Sequence, residues 1–379
     1  MARWIFEHAA VLRPTGWSSD PLAVMDGTLA DTGDGQRIDL TGYEIRPGII
    51  DLHGDGFERH LAPRRGALAD LNLGVVSLAA ELAANGITTA MLAQFWSWEG
   101  GMRGPAFALR MFEAVRAVGP TVPVDLMLQM RLETHDIDAF AEAETALDRF
   151  AIRYVVFNDH LPHDRLAEGR RPKRLIGTAL KSGRNPEAHL ALMQRLFDGR
   201  AAVPAALDAL AARLHARGIL LGSHDDPTAA VRETWRARGV AVSEFPESVE
   251  AAEAAHTAGE PVILGAPNVV RGASHAGNVS ARHLIEAGLC DALASDYHYP
   301  APATAAGIAR SLGLDDVAAW RLVAEGPARI LGLQDRGRIA PGLRADLVIT
   351  NRDSGRIEAT IAGGKIAWLT APLAARFTG

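Results

Sequence analysis

Short clusters of histidine and acidic residues recur in this chain, each placed just after an apolar run. The first is His53-Gly54-Asp55. Side chains two apart on an extended segment point the same way, so His53 and Asp55 can both offer ligand atoms to one cation. Glu133, Asn158-Asp159-His160, Ser223-His224-Asp225-Asp226 and Ser295-Asp296-Tyr297 follow later runs. Imidazole nitrogen and carboxylate oxygen suit zinc or a similar divalent ion, and a bridging carboxylate would allow two ions. Each cluster alone is a weak signal. Asp226, ahead of Pro227-Thr228, also reads as a helix N-cap, and Asp159 and His163 also read as solvated loop residues. The coincidence of position is what points to metal chemistry.

The elements that must position these groups are short apolar runs alternating with stretches of helical period. Strands are expected at 49–52, 88–92, 125–128, 154–157, 219–221, 240–242, 262–264 and 292–294, with helices such as 78–84, 106–118, 204–217 and 228–238 between them. Eight such strands predict an α/β protein built on a (β/α)8 TIM-type barrel, whose reactive residues sit at the C-terminal strand ends. Short strand pieces and the tight-turn signals Asp26-Gly27 and Asp34-Gly35 mark the beginning of the chain, and Gly-punctuated strand runs return after Leu333. Both ends therefore predict one small β-sandwich domain, residues 1–45 with 338–379, flanking a barrel over 46–337.

Composition narrows the class. The chain has 379 residues, 48% hydrophobic and 22% charged, and a net charge of −6. That balance supplies no overall basic field for nucleic acid. Cys290 is the only cysteine, so internal disulfides and thiolate-based zinc or iron–sulfur sites are excluded. Arg3, Glu7 and His8 interrupt the first twelve residues, and no apolar run is long enough to span a bilayer. A cytoplasmic enzyme with no membrane partner is expected, with a homo-oligomer left open.

Several segments carry a resemblance. The run from Pro47 to His53, Ser295-Asp296, and the stretch from Gly337 to Val348 resemble the amidohydrolase superfamily. Within it, the chain resembles the PhnM-like diphosphatases of phosphonate metabolism. The segments carrying this are His53-Gly54-Asp55 with Glu58, His60, Pro63 and Arg64; Ser223 to Asp226; Ser243-Glu244-Phe245-Pro246; and Gly265 to Gly272, continuing as Ala273 to Ala281. The resemblance implies release of pyrophosphate from α-D-ribose 1-methylphosphonate 5-triphosphate, leaving a 5-phosphate. It implies His53, Asp55, Glu133, His160 and His224 as ligands of one or two divalent ions, with zinc the expected metal and Glu133 the bridge. Asp296 is the expected proton acceptor, and also a ligand to one ion.

A small phosphorylated substrate needs cations and backbone donors, which Arg64, Arg271, Ser274, His275 and Asn278 could supply. The same loop also reads as an ordinary turn loosened by Gly272 and Gly277. Two stretches depart from the family pattern. Where PhnM-like sequences follow the strand-four Asp-His with a Gly-Gln-Arg-Gln-Phe-like segment, this chain has Leu161-Pro162-His163-Asp164-Arg165-Leu166 and then the basic run Arg170-Arg171-Pro172-Lys173-Arg174. Where many amidohydrolases place a strand-six histidine, it has Ser243-Glu244-Phe245-Pro246. The alternative activity is hydrolysis of a C–N bond, in a cyclic amide, a deacylation or a deamination, which would use the metal and Asp296 without Arg64 or Arg271.

Overall fold

A computed structural model describes residues 3–64, 70–272 and 279–378. Eight parallel strands form one sheet in sequence order: β1 (Ile49–Gly54), β2 (Ile87–Trp96), β3 (Asp125–Glu133), β4 (Tyr154–Asn158), β5 (Leu220–His224), β6 (Val242–Glu244), β7 (Val262–Gly265) and β8 (Ala292–Ala294). An isolated parallel bridge joins Gly54, at the end of β1, to Asp296, just past β8. First and last strands therefore meet, and the sheet is a nearly closed barrel with helices between its strands. All ten residues of β2 are buried, as expected of a parallel strand covered on both faces.

The helices follow the expected alternation: Leu71–Ala84 precedes β2, Pro105–Val118 precedes β3, Val203–Ala216 precedes β5 and Ala229–Ala237 precedes β6. One local expectation fails. The cap of Ala229–Ala237 is Thr228, whose side chain accepts from the Val231 N–H. Asp226 instead turns inward, because a buried arginine gives its carboxylate a stronger partner than a helix end does.

The chain ends build two mixed sheets. One orders Thr28–Ala30, Leu22–Met25, Arg3–Glu7 and Gln36–Asp39; the other orders Lys365–Leu369, Ile357–Ala362, Leu347–Asn351, Tyr43–Pro47, Ala10–Arg13 and Gly16–Ser18. Phe6, Leu22, Ile38, Ile45, Leu347 and Ile361 share their core. Removing this apolar surface from water holds the small domain together, and the strand ending at Pro47 leads straight into β1.

By contacts the chain divides into two compact units. The first comprises Met1–Leu92, Ala117–Met127 and Pro261–Gly379, and the second Ala93–Arg116 and Leu128–Glu260. Among the described residues no helix is long and apolar enough to cross a membrane.

Candidate metal centre

In the first unit, β1 carries Asp51 and His53, both fully buried. Backbone bonds fix the strand end. The Asp296 N–H donates to the His53 carbonyl at 2.9 Å, and the Asp55 N–H donates to the Asp296 carbonyl at 2.8 Å. His53, Asp55 and Asp296 are thus brought together. Asp51 acts as their brace: its carboxylate accepts from the Ser295 N–H at 2.8 Å and the Ser295 hydroxyl at 2.6 Å. Burial pushes the Asp51 carboxyl up, and the Ser295 contacts only partly offset that.

Gly54 is required between the two candidate ligands. A Cβ there would lie 2.5 Å from Asp51 Oδ2, 2.8 Å from Tyr299 Cε1 and 2.9 Å from Ser295 Oγ. Tyr299 is itself fully buried, and burial together with Asp51 and Asp55 drives its hydroxyl well above the ordinary value. It stays a neutral phenol.

In the second unit, Glu133 ends β3 and is fully buried. Its Oε2 accepts from the Trp98 indole at 3.2 Å and the His160 N–H at 3.3 Å, and its Oε1 pairs with His160 Nδ1. Glu99, Glu133 and His160 each bring a ligand atom within 4.8 Å of the others. Burial works against a charged His160, yet the hydrogen bond and charge of Glu133 outweigh it and the imidazole sits above its ordinary value.

His224 ends β5 beside Glu244, its register partner on β6, and their ligand atoms also lie within 4.8 Å. His224 Nδ1 is 2.9 Å from Asp225 Oδ2, and Arg131 Nη2 is 3.2 Å from His224 Nε2. The acidic group thus flanks one ring nitrogen and the guanidinium the other. The Asp225 side chain is exposed, and His224 and Arg131 hold its carboxyl below the ordinary value despite partial desolvation. Glu244, fully buried, accepts from Gln129 Nε2 at 3.0 Å and from the Tyr154 hydroxyl.

Asp226 is braced differently. Its Oδ2 accepts from Ser223 at 2.6 Å and from the guanidinium of Arg232 at 3.2 Å. Arg232 is fully buried and also donates to the Val242 carbonyl at 3.2 Å, which locks the helix after β5 onto the strands. Backbone strain collects at the same strand ends: Asp225, Phe245 and Asp296 have φ of 60°, 55° and 54°. Side chains rarely adopt this left-handed region, and where it persists it commonly aims a functional group.

The remaining expected residues are placed as follows. Arg64 is exposed beyond the short helix Glu58–Leu61. Arg271 ends the helix Ala266–Arg271 after β7; its Nη2 is 3.2 Å from Asn268 Oδ1, and its guanidinium lies 5.9 Å from the ring centre of Tyr297, the neighbour of Asp296. Ser274, His275 and Asn278 lie outside the described residues. Two functional candidates gain no role from sequence alone: Glu244, though it lies in a resembling segment, and Arg131. Position on a strand end was the available signal for Glu244; for Arg131, 5% exposed and 3.9 Å from the Phe95 ring centre, it was an arginine inside an apolar strand.

The donor set is imidazole and carboxylate throughout, clustered and largely buried, and it fits a zinc-like divalent ion. A model of the Amidohydrolase family matches residues 275–369. The chain is 32% identical over 363 residues to the α-D-ribose 1-methylphosphonate 5-triphosphate diphosphatase of Escherichia coli K12, covering 89% of this chain and 93% of that one. Its fold is similar to a crystal structure described as an amidohydrolase, with TM-score 0.68, 16% identity, and 98% of this chain and 100% of that one covered. It is also similar to the β-aspartyl dipeptidase of Fervidobacterium islandicum AW-1, with TM-score 0.62, 12% identity, and 97% and 96% covered. The chain belongs to the amidohydrolase superfamily, whose hydrolases are typically metal-dependent.

Proposed function

We propose that the chain is a metal-dependent diphosphatase that releases pyrophosphate from a sugar 5-triphosphate of the α-D-ribose 1-methylphosphonate class and leaves the 5-phosphate. The observation that carries this reading is the 32% identity to the Escherichia coli diphosphatase, spread over 89% of the chain. His53, Asp55, Glu133, His160 and His224 are the proposed ligands, all at C-terminal ends of parallel strands, with Glu133 as the bridge between two ions and zinc as the metal. When bound, such an ion supplies Lewis acidity at neutral pH.

The chain's own groups do the rest. Asp296, held by its backbone between His53 and Asp55, takes the proton of the attacking water and passes it to solvent. It is also the proposed further ligand to one ion. As the water oxygen bonds to phosphorus at the α–β anhydride, the P–O bond breaks and its electron pair leaves with pyrophosphate. Arg64 and Arg271, with Ser274, His275 and Asn278, hold the phosphate oxygens. Arg131 and Asp225 flank the two ring nitrogens of His224 and orient the imidazole.

The test incubates zinc-loaded protein with a sugar 5-triphosphate and, separately, with a panel of cyclic and acylated amides, following products by phosphorus NMR and chromatography. Pyrophosphate release that weakens in Arg271→Ala is expected. Amide hydrolysis with an inert triphosphate would overturn the reading.

A further inference from the structure

A second set of ligand-type side chains lies beside the strand ends that the proposed function uses. His135 follows β3 by two residues, Asp159 follows β4 by one, and His163 opens the short helix His163–Ala167. His163 Nε2 is 2.7 Å from Asp159 Oδ2, and His135 Nδ1 is 3.5 Å from Asp159 Oδ1. The three offer ligand atoms that all lie within 4.8 Å of one another.

We infer that His135, Asp159 and His163 form a cation site of their own, separate from the ligands proposed above and suited to a borderline divalent metal such as zinc, cobalt or nickel. The 3.5 Å between His135 and Asp159 is long for a hydrogen bond. It is close to the roughly 3.3 Å that separates two atoms each about 2 Å from one tetrahedral ion. Two imidazoles and one carboxylate are the donor set of an open three-ligand site, which leaves a fourth position for water or a ligand.

The three groups are held in place before any ion arrives. The Thr134 N–H donates to the Asn158 carbonyl at 2.9 Å and ties the two loops together. The Leu161 N–H donates to Asp159 Oδ1 at 3.1 Å and sets the carboxylate. The His163 ring packs 4.8 Å from that of His135 and 5.9 Å from that of Phe197, centre to centre. Access is open on one side: the Asp159 and His163 side chains are 41% and 37% exposed, and that of His135 is 10% exposed. His163 lies in the stretch Leu161 to Leu166, where the sequence departs from the family pattern it resembles.

The site rests on its own geometry and not on the diphosphatase reading. Its test measures metal content and the visible spectrum of the intact chain after equilibration with Co²⁺, for the wild type, His163→Ala, His135→Ala and His53→Ala. Loss of one ion per chain in both His163→Ala and His135→Ala, with a matching loss of tetrahedral d–d absorption, is expected. Unchanged stoichiometry and spectrum in those two variants would overturn the site. His163→Gln, at a part-exposed position, repeats the measurement if either alanine variant fails to fold. The outcome for His53→Ala reports on the other centre alone, so failure there and failure here are distinguishable.

Discussion

The two units brace their strand ends with different chemistry. In the first, the buried carboxylate of Asp51 is satisfied by a hydroxyl and a backbone N–H of Ser295, and the candidate ligands are fixed by main-chain bonds through Asp296. In the second, the equivalent brace is an ion pair: Asp226 rests on the fully buried Arg232, and Glu133 couples directly to His160. The Asp51 brace has partners that carry no charge, so it loses no ion pair when one of them is removed. Ionic bracing is stronger when complete, but removing one partner strands a buried charge. The candidate ligands of the first unit therefore depend on one ionisable support, Asp51, and those of the second on paired charges.

The largest effect expected is on activity. Asp296→Asn keeps the backbone bonds to His53 and Asp55 but removes the proton acceptor, so turnover should fall by about 10² to 10⁴ while most of the metal stays bound. Wild-type turnover in that variant would remove Asp296 from the proton path. The next effect separates the two braces. Asp226→Ala takes one of two carboxylates from the buried Arg232, Glu260 remaining at 3.1 Å, and should cost about 3 kcal/mol, the lower end for a broken buried pair, whereas Ser295→Ala removes the hydroxyl bond to Asp51 but keeps the backbone one and should cost about 1–2 kcal/mol. Chemical denaturation of both reads the difference, and equal losses would break the contrast. Gly54→Ala belongs with the smaller loss, about 1–3 kcal/mol from overpacking, because the new Cβ would press on Asp51, Tyr299 and Ser295.

Much of this arrangement was legible in the chain. Eight apolar runs in βα alternation marked the barrel, and the polar residues just beyond them lie at the C-terminal strand ends. The fifth run stopped short because hydrophobicity ends before backbone pairing does: it closes at Leu221, yet Ser223 and His224 still pair with Ser243 and Glu244. This is why Glu244 reads from sequence as a departure from a motif and in the structure as a group facing His224. Its partners Gln129 and Tyr154 lie 115 and 90 positions away, and no local pattern reports contacts at that distance. Asp226 shows the same limit. Followed by Pro227-Thr228 it has a cap signature, but Arg232, folded back from the next helix, draws its carboxylate inward and leaves the cap to Thr228.

The subtlest expected effect concerns the ionic brace at Glu133. In the metal-free chain, His160 titrates above the ordinary imidazole value of 6.5, because Glu133 outweighs the burial that opposes its charge. A group whose folded value is raised contributes stability that is fully present below its unfolded value and is lost as pH rises through the folded one. The chelated protein should therefore become less stable as pH climbs from below 6.5 through the raised value. Glu133→Gln keeps the burial and removes the charge that raises His160 most, so the loss of stability above pH 6.5 should shrink or vanish. Denaturation midpoints measured across that window, in the presence of a chelator, distinguish the two slopes. A variant whose slope matches the wild type would show that the Glu133–His160 pair does not govern the titration, and would bring the second unit's brace into line with the neutral one at Asp51. With metal bound both slopes should flatten, since an ion on His160 displaces the proton whose release the slope reports.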